Sequence, residues 1–190
     1  MIKYAITGNI ASGKSSAEKI LKSMGYKVLD TDYVAHTLLD ESFEEIIKIF
    51  KEYDILEENK KEISRTKLGK IVFSDIKLKK QLENIIHPKV KKEIEKFFAN
   101  NITEDKVFVS IPQLFESDSE NMFDKIILIY ANDNIRLKRL IQRNNYTEEY
   151  AKLRLKSQIS QDKKVEKSDI VIYNNSSIEN FEQTIIKTFE

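Results

Sequence analysis

Gly8-Asn9-Ile10-Ala11-Ser12-Gly13-Lys14-Ser15 decides how this chain is read. It fits the pattern G-x-x-x-x-G-K-[ST] at every fixed position. Glycines let the backbone turn tightly and approach a ligand closely. Successive N–H groups then converge on phosphate oxygens at the positive end of the helix that follows. In such a loop Lys14 reaches the β- and γ-phosphates and the Ser15 hydroxyl helps hold Mg²⁺. The residues expected to cradle ATP are Ala11, Ser12, Gly13, Lys14, Ser15 and Ser16.

The context supports that reading. Ile2–Thr7 is a short apolar run of strand type and enters the loop directly. A helical pattern follows from about Lys14 to Met24, and Gly25 stands where a helix-terminating glycine belongs. Lys27–Asp30 reads as a second strand. Strand, helix and strand in about 30 residues make a βαβ unit, and so a parallel sheet.

From about 42 to 101 the chain is rich in Lys and Glu and apolar at helical spacing. This reads as a helical insertion, broken into two helices at His87-Pro88. Strand patterns return at Lys106–Ile111, Lys125–Tyr130 and Asp169–Tyr173. Between the last two, helices are predicted from Asn134 to about Arg143 and from Thr147 to about Gln161. Ser176-Ser177-Ile178-Glu179 reads as a capping box for a terminal helix. The expected fold is therefore α/β, a P-loop NTPase three-layer fold with a central parallel sheet, a helical insertion and a helical lid. It divides into a core (1–41, 102–134 and 168–190), a helical insertion (42–101), which the family resemblance given below makes acceptor-binding, and a lid (135–167).

Composition narrows the chemistry. The 190 residues hold 32 Lys+Arg against 31 Asp+Glu, a net charge of +1. Such a balance argues against a general polyanion binder, so no nucleic-acid partner is expected. Cysteine is absent and only two histidines occur, which excludes disulfides, thiolate catalysis and Cys- or His-rich metal sites. No run of 18 apolar residues is present, so no membrane partner is expected and the chain reads as cytoplasmic. No obligate protein partner is inferred.

Among P-loop classes a GTPase would carry N/T-K-x-D. The nearest segment, Asn59-Lys60-Lys61-Glu62, lacks the Asp. A small kinase fits the length. It needs a group to orient or deprotonate the acceptor and cations over the transferring phosphoryl group. Asp30 and Asp32 lie at the carboxyl end of the second strand, where ligands bind in open parallel sheets. If the strand continues, both share a face; otherwise one caps the next helix. Asp32 is the favoured catalytic residue and Asp30 a possible metal ligand. Arg136, Arg139 and Arg143 stand at i, i+3 and i+7 in a chain with only five arginines. Arg139 and Arg143 are expected to reach phosphate, since guanidinium forks suit its oxygens. Arg136 is the one most expected to form an ion pair instead.

At this point the chain resembles the dephospho-coenzyme A kinase family, essentially end to end. Val28-Leu29-Asp30-Thr31-Asp32 is similar to the family's V-I-D-A-D. Leu68–Asp75 with Leu82–Pro88 is similar to its middle signature, and Ile111–Glu116 to its V-P-L-L-F-E. Arg139 and Arg143 match its R-x-x-x-R lid, Gln158 its lid glutamine, and Ile172-Tyr173-Asn174 its V-I-x-N. The resemblance implies transfer of the ATP γ-phosphate to the ribose 3′-hydroxyl of dephospho-CoA, the last step of coenzyme A biosynthesis. It makes Asp32 the base and Arg143 a lid cation, with Lys14 and Arg139 beside them, and places Asn174 near the adenine. Asp32, Phe73, His87, Pro112 and Phe115 would meet the acceptor. His87 has the alternative of capping a helix, Phe73 and Phe115 of being core, and Pro112 of stopping a strand.

The sequence departs from the family at Ser110, where an Asp is usual, and at Gln113, Asn144 and Ser176. Ser110 removes a carboxylate that would support Mg²⁺, leaving Asp30 or Asp32 to compensate. Asn144 removes a lid ion pair. Two other readings stay open: a kinase of another nucleoside or small metabolite, and an ATP-binding module without catalysis.

Overall fold

The computed structural model describes residues 1–59 and 61–190. Five parallel strands form one sheet: β1 (Ile2–Thr7), β2 (Lys27–Asp30), β3 (Lys106–Ser110), β4 (Lys125–Tyr130) and β5 (Ile170–Tyr173). Their spatial order is β2-β3-β1-β4-β5. Tyr4 therefore lies beside Phe108 and Lys125, and Asp30 beside Ser110. The expected parallel sheet is present, with β1 at its centre.

Alternation along the strands sends side chains to opposite faces. Tyr4, Ile6, Phe108, Ile127, Ile129 and Ile172 pack with Ala17 and Leu21 of α1 (Lys14–Ser23) and with Phe181, Ile185 and Phe189 of α9 (Ile178–Phe189). Ala5, Val107, Val109 and Leu128 point the other way and are fully buried as well. Both faces of the sheet are thus covered, which explains why its strands read as continuous apolar runs.

Helix α1 ends as the sequence predicts. Gly25 takes φ +92°, and the amides of Met24, Gly25 and Tyr26 satisfy the carbonyls of Ile20, Lys22 and Leu21. At the other terminus, Ser177 rather than Ser176 caps α9, its hydroxyl accepting from the Asn180 amide. The predicted box is therefore one residue out of register.

The chain divides into two compact units, residues 1–30 with 100–190, and residues 31–99. The division falls at Thr31, upstream of the expected 42, because α2 (Thr31–Glu41) packs with α3 (Phe43–Ile49). Inside this second unit Leu38, Ile46, Phe50, Ile55, Ile63, Leu68 and Ile86 form a separate core. It also contains α4 (Arg65–Ser74) and most of α5 (Ile76–Asn100).

Helix α5 corrects one expectation. It runs 25 residues straight through Pro88, where a break was predicted. A proline inside a helix forfeits one backbone hydrogen bond and crowds the preceding turn. Here Ile86, Ile94 and Phe98 are buried on both sides of it, and that burial holds the two halves in one helix. His87 and Pro88 are exposed. His87 lies mid-helix and caps nothing.

The second predicted lid helix is also shorter than expected. The segment forms α7 (Glu148–Lys156), then a non-helical connector, then α8 (Gln161–Val165). Thr147 and Ser160 cap these two helices with their side-chain oxygens, and the second cap marks the interruption.

Candidate active site

The loop between β1 and α1 forms a cradle that requires its glycines. Gly13 has φ +107°, and a Cβ there would stand 2.0 Å from the Asn174 carboxamide nitrogen. A Cβ on Gly8 would stand 2.8 Å from the Ile129 carbonyl oxygen. Ala11 also takes a left-handed conformation, φ +63°. No side chain caps the N-terminus of α1. The amides of Lys14 and Ser15 precede its first ladder bond, from Ser16 to Gly13, and the helix dipole favours an anion there.

Lys14 begins the helix and is largely buried. Its Nζ donates to Ser110 Oγ at 2.6 Å and to Glu18 Oε1 at 3.0 Å. Ser15 follows, exposed. Among the described residues no cluster of three acids or histidines could hold a metal alone. A hard cation such as Mg²⁺ takes few protein ligands beside substrate phosphates. The exposed hydroxyl of Ser15 is of the kind that fits that case.

Helix α6 (Asp133–Asn144) carries the three clustered arginines, and each does something different. Arg136 is buried at 2% exposure. It donates to the Ile10 carbonyl at 3.0 Å, to Asp133 Oδ1 at 2.8 Å and to Gln158 Oε1 at 3.4 Å. The expected ion pair is present, and the same side chain also braces the loop. Burial pushes its pKa below the ordinary value while Asp133 raises it again, and the guanidinium stays charged. Arg139 donates to Asn174 through its carbonyl and its side-chain oxygen, both at 3.2 Å, and to the Ser12 carbonyl at 3.5 Å. Arg143 is exposed, its Nε bonded to Asn144 Oδ1 at 2.9 Å.

Two more side chains fasten the loop from behind. Asn174 is 3% exposed and donates to the Ser12 carbonyl at 2.8 Å, while its own amide donates to the Tyr130 carbonyl. Gln158, in the connector between α7 and α8, accepts from the Ile10 amide at 2.8 Å. Next to it, the Asn9 carboxamide donates to the Ile159 carbonyl at 2.8 Å.

The chain's relatives fit this geometry. Residues 2–180 match the dephospho-CoA kinase family. The chain belongs to that family. It is 38% identical over 190 residues to the dephospho-CoA kinase of Campylobacter jejuni strain RM1221, covering 98% of this chain and 94% of that one. It is 37% identical over 192 residues to that of Listeria monocytogenes serovar 1/2a, with 97% and 94% covered. The solved dephospho-CoA kinase from Campylobacter jejuni superposes with a TM-score of 0.75 at 39% identity, covering 98% and 94%. A solved Thermus thermophilus protein reaches 0.86 at 30% identity, covering 100% and 98%. Shikimate kinase from Acinetobacter baumannii shares only the fold, with a TM-score of 0.58 at 14% identity.

For a dephospho-CoA kinase, the remaining expected residues are distributed as follows. Asp30 ends β2 and Asp32 sits exposed in the first turn of α2. The strand stops at Asp30, so the alternation that would put both carboxylates on one strand face does not extend to Asp32. Phe73 is 57% exposed near the end of α4. Phe115 is 7% exposed beneath the Lys164 and Lys167 ammonium groups. Pro112 follows β3, and its carbonyl accepts from the Thr7 hydroxyl at 3.3 Å. Ser16 begins the ladder of α1, its amide donating to the Gly13 carbonyl. The Asn174 side chain is turned to the phosphate loop, where it supports Ser12. Of the segment Asn59-Lys60-Lys61-Glu62, Lys60 lies outside the described residues.

Glu18 escaped the sequence reading, yet its carboxylate touches both Lys14 and Ser110. The signal was available: an acid at i+4 from Lys14 on the inward face of α1, between Ala17, Ile20 and Leu21. Asn144 turned out to take over, as a neutral acceptor for Arg143, the pairing that an Asp there would offer.

Proposed function

We propose that the chain transfers the γ-phosphoryl group of ATP to the ribose 3′-hydroxyl of dephospho-CoA, giving coenzyme A and ADP. The observation that carries the reading is the uncapped helix N-terminus behind a glycine cradle, with Lys14 at its head, in a chain of this family. A bond forms between the 3′-oxygen and the γ-phosphorus. The bond from that phosphorus to the bridging oxygen of ADP breaks, and the hydroxyl proton passes to Asp32.

Each residue has a physical role. The phosphates lie along Ala11 to Ser16, held by the amides of Ala11, Gly13, Lys14 and Ser15 with the Ser12 and Ser16 side chains beside them, and Lys14 offsets charge on the transferring group. Arg139 and Arg143 supply further positive charge from α6, Arg139 from a place fixed by Asn174. The Ser15 hydroxyl would hold Mg²⁺, which when bound neutralises phosphate charge, and Asp30 is a second candidate ligand. Phe73, His87, Pro112 and Phe115 are assigned to the acceptor. Both substrates are small molecules, and the reaction is assigned to the cytoplasm.

The test is incubation with ATP, Mg²⁺ and dephospho-CoA, read by mass spectrometry, beside Asp32→Asn and Lys14→Ala. Coenzyme A from the wild type, with a large loss of turnover but not of ATP affinity in Asp32→Asn, supports the reading. Turnover near wild type in Asp32→Asn removes it as the base. ATP binding with no coenzyme A formed redirects the assignment to another acceptor.

A further inference from the structure

Three side chains at the carboxyl end of β3 close a hydrogen-bonded triangle. Lys14 Nζ donates to Ser110 Oγ at 2.6 Å and to Glu18 Oε1 at 3.0 Å, and Ser110 Oγ donates to the same Glu18 oxygen at 2.6 Å. Ser110 is fully buried and Glu18 is 5% exposed. A buried carboxylate next to a phosphate loop is unfavourable in two ways. It loses hydration, and it repels the anion the loop is built to receive. An ion pair alone is weak justification for such a placement.

A reason lies in what Lys14 lacks. An ammonium on a four-carbon stem is a mobile point charge whose position is set by its neighbours. Stabilising a transferring phosphoryl group requires that charge at one place. Glu18, one turn along the same helix, fixes Nζ from below, and Ser110 fixes it from the strand. The end of β3 carries no acid of its own in this chain, and α1 delivers a carboxylate to the same spot.

We propose that Glu18 is the positioning carboxylate of the phosphate-loop lysine, acting directly and through the Ser110 hydroxyl. The proposal rests on the kinase reading above.

The experiment compares wild type, Glu18→Gln, Glu18→Ala, and Glu18→Ala combined with Ser110→Asp. ATP affinity is measured calorimetrically in EDTA, together with Tm, kcat and KM. The glutamine keeps the shape and removes the charge. It is expected to bind ATP at least as tightly as wild type, because a negative charge near the triphosphate is gone. Its kcat should fall roughly tenfold with little change in KM for ATP, the pattern of an interaction that matters in the transition state. The added Asp should restore at least part of the turnover lost in Glu18→Ala, by returning a carboxylate from the strand side.

A kcat for Glu18→Gln within about twofold of wild type overturns the proposal. So does a joint fall in Tm and ATP affinity with turnover of the folded protein intact, which marks a packing role only. A folded, ATP-binding double variant with no recovery also overturns it; if the double variant does not fold, Glu18→Gln alone decides. Should the wild type fail to phosphorylate dephospho-CoA, the substrate reading fails separately. ATP affinity and slow ATP hydrolysis in the same variants still report on Glu18.

Discussion

The side-chain oxygen of Gln158 accepts the Ile10 amide proton at 2.8 Å, joining positions 148 residues apart. The same oxygen takes a longer bond from Arg136, which itself holds the Ile10 carbonyl. Both backbone polar groups of one loop residue are thereby satisfied by two side chains, Gln158 and Arg136. Gln158→Ala leaves the amide and one guanidinium arm without this acceptor, at about 1–3 kcal/mol. The expected outcome is faster hydrogen exchange at the Ile10 amide and a raised KM for ATP, with α1 remaining protected.

Arg136 should behave as a brace rather than as a catalytic cation. A lysine cannot reproduce three donors in a fixed fork. Arg136→Lys is expected to cost about 1–3 kcal/mol, because the fork of a buried guanidinium that holds the Ile10 carbonyl, Asp133 and Gln158 is lost. Thermal unfolding checks this. Arg143→Lys, on an exposed residue, should leave Tm unchanged while lowering kcat.

Gly13 is constrained twice, by φ +107° and by the Asn174 nitrogen. Gly13→Ala should lose measurable ATP binding in calorimetry. Adding Asn174→Ala relieves the clash but not the backbone strain, so it should recover binding only in part.

Lys164 is 1% exposed and pairs with Glu116 at 3.0 Å. Removing the acid strands a buried ammonium. Glu116→Gln should destabilise by about 2 kcal/mol, less than for a fully buried pair because Glu116 keeps contact with water. Lys164→Met, which removes the charge and keeps the volume, should be close to neutral. Denaturant titration distinguishes the two.

Asp169 gives a pH signature. Its carboxylate accepts from the Ile126 amide at 2.8 Å and pairs with Lys125 at 3.0 Å, and these hold its pKa below the ordinary value, the amide contributing most. A lowered carboxylate pKa adds stability above the unfolded value of about 3.9, lost as pH falls through the folded value. Asp169→Asn should therefore show a Tm deficit at pH 7 that closes progressively below about pH 4.

Much of this was legible in the sequence, for identifiable reasons. The strands are continuous apolar runs, and the phosphate loop is written in residue types that few other structures need. Gly25 announced its turn. What failed were places where tertiary burial overrode a local signal, as at Pro88, or where a local cap divided a longer periodic pattern, as at Ser160. For Asp30 and Asp32 the shared strand face required the strand to run on, and it stops at Asp30, where α2 begins one residue later. The contacts of Glu18 with Ser110, of Arg136 with Ile10 and of Asn174 with Ser12 were hidden for another reason. Each depends on which distant backbone or side-chain atoms the fold brings alongside, and no spacing rule carries that.

Residues 31–99 leave the sheet after β2 and the chain returns to it as β3, which is hydrogen-bonded to β2 itself. The whole excursion is one crossover between adjacent strands. Loop-closure cost rises only slowly with length, and the excursion has its own apolar core. The stretch can thus lengthen, shorten or change its lining over generations while the pairing register around Gly8 and Lys14 is inherited intact. One part of the chain can drift in length and packing while the strands on either side of it stay paired.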